Sequence, residues 1–574
     1  VAPHNPFETE IPLYEKACKP GDIKVLVSVP DFYHVALPNI GHQIIEHQIN
    51  QLDGFFAFRC YLNHDFSLLR ETNYEPDIII ISMSYEGSYI RAMRILDQLG
   101  LKLFARDRDE KMPLVVIGGR AVSMNPLPLF GIADVIGVGD SDYLIQSICC
   151  AYQKSAGQRE KLFDSLVKLK GIIIPSRYQV ETKDGYLKKW SAHDVPTDIY
   201  PNRTKVFPHS WRLSSETDYN EIGYYEGKTF FSIEIVKACQ SSCLFCAEGF
   251  NNGPSRSTGD VEKISELAQW ARERNADLIK LFFPAHVSLE TTKAIMKSLL
   301  NMGLSPRVGS AKAERIDQEY IDLIGLSGQE KVAIAPETGD YKLRASLGKP
   351  GMSDDLLLKI VRQIIDAGIP NLDFYFIANL PGESSASFQK TIDFIGKFSL
   401  FLKARRFKGH FRISMPNFFP KAWTPFQFAP SGGIGEYLEK IEILERTFGD
   451  SVKISSMKDS VDLLSQNIMA RGGIEVSNLL FDVYLSLKEY EKQTGAFRSD
   501  TLEDWRKSIQ NRGLSESQYF CEKRTDKPLP WHHIRMYDNL PKLSNAWQVF
   551  SKNLECSGIH RPPGRVAPPG LKKA

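Results

Sequence analysis

The sequence predicts an α/β protein of two parallel-sheet units in tandem, followed by a mainly helical C-terminal segment. Three observations carry this reading. Short continuous apolar runs (Ile23–Val29, Asp77–Met83, Pro113–Gly119) alternate with helical patterns, as strands buried on both faces do. A second series of strand and helix patterns extends from Thr229 to Met415, and helical periodicity takes over beyond Gly432. At 574 residues the chain has room for several domains, and these patterns divide it at 1–155, 156–225, 226–431 and 432–574.

In the first unit, helices are expected around Ile40–Gln51 and Tyr89–Leu99, between the three apolar runs. The strand ends are Pro30-Asp31-Phe32-Tyr33-His34, Ser82-Met83-Ser84-Tyr85, Gly118-Gly119-Arg120 and Gly137-Val138-Gly139-Asp140. Open parallel sheets bind ligands at these ends, and glycine there lets a ligand approach the backbone. The unit reads as Rossmann-like, although the same glycines suit simple turns equally well.

Residues 156–225 read as a connector. It holds a helix near Glu160–Lys168, a strand Gly171–Ile174, a hairpin at Lys183-Asp184-Gly185, and breaks at Pro196, Pro201 and Pro208. The second unit opens with a strand-like run, Thr229–Val236. The helix Val261–Arg274 follows, with Ile264, Leu267, Ala268 and Ala271 on one face. Strands are then expected at Leu278–Phe283, Arg307–Ser310, Val332–Pro336, Leu372–Ala378 and Phe411–Met415, with helices at Leu289–Met302, Gln318–Leu326 and Ser385–Phe398. Ser353 should cap a further helix that reaches Ala367 and stops at Gly368. Six such units make a partial (β/α)6 barrel of the TIM type, with its ligands at the carboxyl ends of the strands.

Helices are expected at Tyr437–Phe448, Val461–Arg471, Ser477–Thr494 and Thr501–Asn511. They would cap the open barrel mouth and exclude water. Tyr519, Cys521, Trp531, His532 and Tyr537 suit either the substrate side or the core, and Arg561–Gly570 reads as PPII-like.

Lys and Arg (71) nearly balance Asp and Glu (69), so no global field draws the chain to nucleic acid or an anionic membrane. No apolar run is long enough to span a bilayer, and no leader is expected from the start of the chain. Cys18, Cys60, Cys149, Cys150, Cys521 and Cys556 form no disulfide framework. A soluble protein of the reducing cytoplasm is expected.

The strongest chemical signal is Cys239, Cys243 and Cys246, three thiols in a CxxxCxxC run with Phe245 before the last. Three thiolates on one loop can hold three irons of a [4Fe-4S] cluster and leave the fourth iron open to a chelating ligand. The competing zinc reading lacks a second CxxC hook, and Ala247, Glu248 and Gly249 offer no fourth thiol or His.

The CxxxCxΦC run after a strand resembles the radical S-adenosylmethionine (SAM) superfamily, and with the sheet unit ahead of it the chain resembles the cobalamin-binding branch of that family. The runs Pro416–Gln427 and Lys527-Pro528-Leu529-Pro530-Trp531-His532-His533-Ile534 extend the likeness over nearly the whole chain. The resemblance implies a [4Fe-4S] cluster on Cys239, Cys243 and Cys246, with SAM chelating the open iron. It also implies cobalamin near Ser82, Ser84, Gly118, Gly119 and Gly139. Around SAM, the barrel strand ends would supply Phe245, Ser310, Lys312, Glu337, Thr338 and Arg344: Glu337 for the ribose or the methionyl amine, Arg344 or Lys312 for the carboxylate. Arg344 and Lys349 equally suit surface ion pairs. Asp31-Phe32-Tyr33-His34 departs from the branch's Asp-x-His-x-x-Gly, so no His ligand is expected on the lower face of cobalt.

By resemblance the activity is a cobalamin-dependent methyl transfer from SAM to an unreactive carbon of a small molecule or peptide, with an electron donor such as flavodoxin or ferredoxin. Alternatives are a non-methylating cyclase or ring-rearranging enzyme with the same cofactors, or an RNA-modifying enzyme. Nucleic acid and membrane are not expected partners.

Overall fold

The computed structural model describes residues 7, 10–12, 14–203, 212–215, 228–239, 241–250, 256–257, 260–283, 288–309, 312–536 and 540–556, with backbone alone at 11, 212–215, 256–257, 555 and 556. Ser310, Pro208, Tyr537 and Arg561–Gly570 lie outside the described residues.

The N-terminal unit is a seven-stranded sheet of β1 (Ile23–Phe32), β2 (Phe55–Leu62), β3 (Leu68–Arg70), β4 (Ile78–Ser82), β5 (Leu114–Gly118), β6 (Val135–Gly137) and β7 (Ile172–Ile173). Its order is β3-β2-β1-β4-β5-β6-β7. The five inner strands are parallel, while β3 and β7 pair antiparallel at the edges. The order reverses between β1 and β4, which opens a crevice at their carboxyl ends. The connector therefore contributes an edge strand to this sheet. Its hairpin, Tyr178–Lys183 with Tyr186–Ala192, turns at Asp184 (φ 56°) and Gly185 (φ 75°).

Strand β2 was not evident from sequence because Arg59 interrupts its apolar run. The guanidinium is fully buried and held by Glu10 (2.8 Å) and Glu71 (2.9 Å), with Glu46 at 3.5 Å. A buried cation persists when its charge is matched at close range.

The second unit comprises two ladders of parallel strands. β8 (Thr229–Glu234), β9 (Leu278–Phe282) and β10 (Ser305–Val308) form the first; β11 (Lys331–Glu337), β12 (Asn371–Phe376), β13 (His410–Met415) and β14 (Lys453–Ser456) form the second. Ser and Asp N-caps start the helices on the outside: Asp260, Ser288, Asp317, Ser353 and Ser384 each accept a backbone N–H from the first turn. Between β10 and β11 the side chain of Gln329 bridges the seam. It accepts from Val308 N (2.8 Å) and donates to Val308 O (3.1 Å) and Lys331 O (2.8 Å).

Two expectations are revised here. The parallel strands number seven rather than six, because the helix Ile434–Phe448 leads into β14 beside β13. The helices beyond it do not only face the barrel. Glu491 pairs with Arg94 (2.6 Å), Tyr484 donates to Asp97 (3.0 Å), and Ser477 donates to Pro128 O (2.8 Å), all across to the N-terminal unit. The helix Leu540–Cys556 packs on the barrel loop, with Phe550 4.8 Å from Phe426.

Candidate active site

Cys239 and Cys243 are buried and Cys246 half-buried on a loop that leaves Lys237 and closes on itself. Cys239 N donates to Glu248 O (3.1 Å), and Cys246 N to Cys243 O (3.0 Å). Burial raises the Cys243 thiol, and Lys349 and Lys312 pull it back. Burial pushes Cys246 up to about 11. Metal binding takes the thiolate form, so these thiols would lose their protons on taking up a metal. The three thiols on one loop, with two lysines beside Cys243 to offset their charge, fit a three-cysteine cluster. Among the described residues no three His, Cys, Asp or Glu side chains converge on one metal ion.

Four non-glycine residues with positive φ end or follow barrel strands: Ala238 (65°), Glu337 (66°), Asn379 (60°) and Trp423 (61°). Backbone in this region is costly for a residue with a Cβ and collects at functional sites. Glu337 is buried and accepts from Lys349 Nζ (2.6 Å), which also donates to Ala335 O (2.7 Å). Burial pulls the Lys349 ammonium down, but Glu337, Cys243 and Cys246 raise it further, so it stays charged. At the next strand end Lys440 binds Asn379 Oδ1 (2.6 Å) and Glu383 (2.7 Å).

The structure places Lys312, Glu337 and Phe245 beside the cysteines, with Phe245 6.0 Å from the Lys349 ammonium. Two expected SAM contacts are revised. Arg344 is fully buried and spends its donors on Thr338 O (2.9 and 3.0 Å), Met352 O (2.8 Å) and Asp354 (3.1 Å), which leaves it structural. Thr338 is equally enclosed, its hydroxyl accepting from Asp340 N (3.2 Å) and lying 3.4 Å from that of Thr391. Lys349 joins Lys312 as a cation at the site. Its sequence signal was the preceding Gly348 (φ 101°), where a Cβ would lie 2.8 Å from Ser242 O.

A cavity of about 540 Å³ separates the carboxyl ends of the N-terminal sheet from the cysteine loop. Ser82, Ser84, Gly118, Gly119 and Gly139 all line it. The reason for the glycines is different from the one expected: a Cβ on Gly119 would strike Met83 O (2.4 Å), and one on Gly139 would strike Asn202 O (2.1 Å). They let the protein's own backbone close up, and they line the cavity together with the serines and the charged residues. His34 stacks on His64 at 4.9 Å, away from the lining residues.

Sequence reasoning missed the charges on the opposite wall. Arg120, after Gly119, pairs with Glu248 of the cysteine loop, and Lys237 lies 4.0 Å from Asp140 and 3.7 Å from Glu234. Burial, with Asp140 and Glu248 nearby, raises the Glu234 carboxyl to about 7. A second gap in the expectations lies after β13. There the indole N–H of Trp423 and the amide N of Gln427 are buried with no acceptor among the described residues. Gln427 Oε1 is occupied by Trp531 Nε1 (2.7 Å). Trp531 and Tyr519 are thus core residues, each almost fully buried.

Comparison with known proteins matches residues 233–395 to the family described as the radical SAM superfamily and residues 41–175 to the family described as radical SAM proteins, N-terminal. Among curated proteins none matches the sequence. Solved structures show partial likeness. SuiB of Streptococcus suis bound to S-adenosylmethionine is 10% identical, with a TM-score of 0.30, over 43% of this chain and 54% of that one. HemN of Escherichia coli, a coproporphyrinogen III oxidase, is 13% identical, with a TM-score of 0.30, over 39% and 52%. HydG of Carboxydothermus hydrogenoformans, an FeFe-hydrogenase maturase, is 13% identical, with a TM-score of 0.30, over 57% and 81%. The chain spans about half the length of the SuiB and HemN chains. No helix among the described residues is long and apolar enough to cross a membrane. The matched segments include Cys239, Cys243 and Cys246 and most of the N-terminal sheet beyond its first strand, so the chain carries a radical SAM domain, which implies a [4Fe-4S] cluster and SAM.

Proposed function

We propose that the protein is a cobalamin-dependent radical SAM methyltransferase that alkylates an unreactive carbon of a small molecule or peptide. The observation that carries this reading is the cavity at the carboxyl ends of the N-terminal sheet, because Lys237, Ala238 and Glu248, which flank the cysteine motif, line its far side. A sheet-end crevice is where an open α/β unit takes a ligand, and this one faces a site suited to the open iron. The lining fits a large, partly polar ligand: serine hydroxyls on one side, apolar Ile40, Ile44 and Phe283 alongside.

When bound, the cluster with SAM would supply a carbon radical and cobalamin would supply a methyl group. The chain's own part is to bind and orient. Cys239, Cys243 and Cys246 would hold three irons, while Lys312 and Lys349 would offset the negative charge of the cluster and of the SAM carboxylate. Ser82 and Ser84 offer hydrogen bonds to the second cofactor. Arg120 to Glu248 and Lys237 to Asp140 tie the two units together at the seam, which fixes the distance between cofactors and keeps bulk water out. A low-potential flavodoxin or ferredoxin is the partner this chemistry needs, and a reducing compartment suits it.

Anaerobic reconstitution with iron, sulfide and hydroxocobalamin tests the proposal. Corrin absorption should survive gel filtration in the wild type and be lost in Ile44→Trp, which intrudes into the cavity, while iron content is unchanged in both. Wild-type protein that retains iron but no corrin would overturn cobalamin dependence.

A further inference from the structure

We infer that Lys349 is a positioning residue for the cluster, a buried positive charge that raises its reduction potential, with Glu337 as the counterweight that limits the effect. The inference rests on the radical SAM reading and goes beyond it, since it assigns a role to a residue outside the cysteine motif.

The argument begins with the backbone. Leu347–Lys349 lies directly on the cysteine loop: Leu244 N donates to Leu347 O (3.1 Å), and a Cβ on Gly348 would lie 3.2 Å from Cys243 Cα. A side chain heavier than hydrogen at 348 would push the two segments apart. The main chain of the lysine that follows is therefore fixed relative to Cys243, and its Nζ, at the end of four rotatable bonds, is held by Glu337 and Ala335 O.

Burial supplies the second step. The Lys349 side chain is 11% exposed and that of Glu337 8%. An ammonium has three protons to donate. Two are taken by Glu337 and Ala335 O, and the third has no protein acceptor among the described residues. Burying a lysine is costly, and a single carboxylate with one carbonyl leaves it under-satisfied. Cys243 and Cys246 are its other electrostatic neighbours. When they become thiolates on a cluster, further negative charge is added near the ammonium.

Charge and hydrogen bonds to the sulfurs set the potential of such clusters. Reduction adds one more negative charge, so a fixed cation favours the reduced form and a fixed anion disfavours it. Glu337 and Lys349 sit in opposition at this position. Their removal should shift the couple in opposite directions, which no merely structural role would produce.

The test is potentiometry of the anaerobically reconstituted full chain without SAM, with the reduced cluster read by electron paramagnetic resonance. At the potential where half the wild-type cluster is reduced, Lys349→Met should lower the reduced-to-oxidised ratio about tenfold, equivalent to about 59 mV for a one-electron couple. Lys349→Arg should restore the ratio to within about threefold of wild type. Glu337→Gln should raise the ratio. A Lys349→Met potential equal to wild type would overturn the inference, even if SAM binding weakens. Should Lys349→Met fail to take up iron, Glu337→Gln decides alone: a potential unchanged or more negative overturns it. Wild-type protein with no reducible cluster would instead sink the radical SAM reading on which the inference rests.

Discussion

The seam of the barrel gives the sharpest stability prediction. Gln329 closes the gap between β10 and β11 with three hydrogen bonds, to Val308 N, Val308 O and Lys331 O, and is itself buried. Gln329→Leu keeps the volume and removes all three. Each contributes about 1 kcal/mol net, so the loss is about 3 kcal/mol, or two decades in an opening equilibrium. A chain of several domains need not unfold in one step, so the local readout is hydrogen exchange by mass spectrometry. Amides of Ser305–Val308 should exchange about 100-fold faster, while those of β1 and β4 are unaffected. Acceleration below about threefold would refute the idea that a side chain holds the two ladders together.

Cys246→Ala should abolish iron uptake, measured by metal analysis after reconstitution, and leave the thermal midpoint of the metal-free protein unchanged. Lys440→Met strands the buried Glu383 carboxylate and Asn379; the expected cost is about 3 kcal/mol, read as a lowered urea midpoint. Glu234, raised to about 7 by burial, binds its proton more tightly folded than unfolded. It therefore withdraws stability as pH rises from its ordinary range through about 7. Glu234→Gln should melt higher than wild type at pH 8 and alike at pH 4, and the reverse trend would contradict the assignment.

The strands and helices were legible where local signals agreed. Ser353, Asp354, Asp355 and Gly368 announce the helix that the structure places at Asp354–Asp366 with Gly368 at φ 72°. The Asp184-Gly185 turn was equally plain. The hidden pieces depend on distant partners. Arg59 disguises β2 because the carboxylates that satisfy it come from Glu10, Glu46 and Glu71. Lys453–Ser456 is too short and too polar to read as a strand until β13 lies beside it.

The cysteine motif was legible as chemistry because spacing alone puts three thiols on one loop. The cations around it were not. Arg344 and Lys349 lie close together in sequence, and only the fold decides that one is spent on Thr338 and Met352 carbonyls while the other reaches the site. The same holds for Arg120 and Glu248, which meet across the seam of two units. Glycine was informative about close approach but silent about the partner: Gly119 and Gly139 lie against Met83 and Asn202 backbone while also lining the cavity.

The most direct test of the account is electron paramagnetic resonance of the anaerobically reconstituted, dithionite-reduced protein before and after addition of SAM. The account predicts a reduced [4Fe-4S] signal that shifts when SAM occupies the open iron, with 5′-deoxyadenosine formed on turnover. A zinc-loaded protein, or a cluster signal indifferent to SAM, would contradict it.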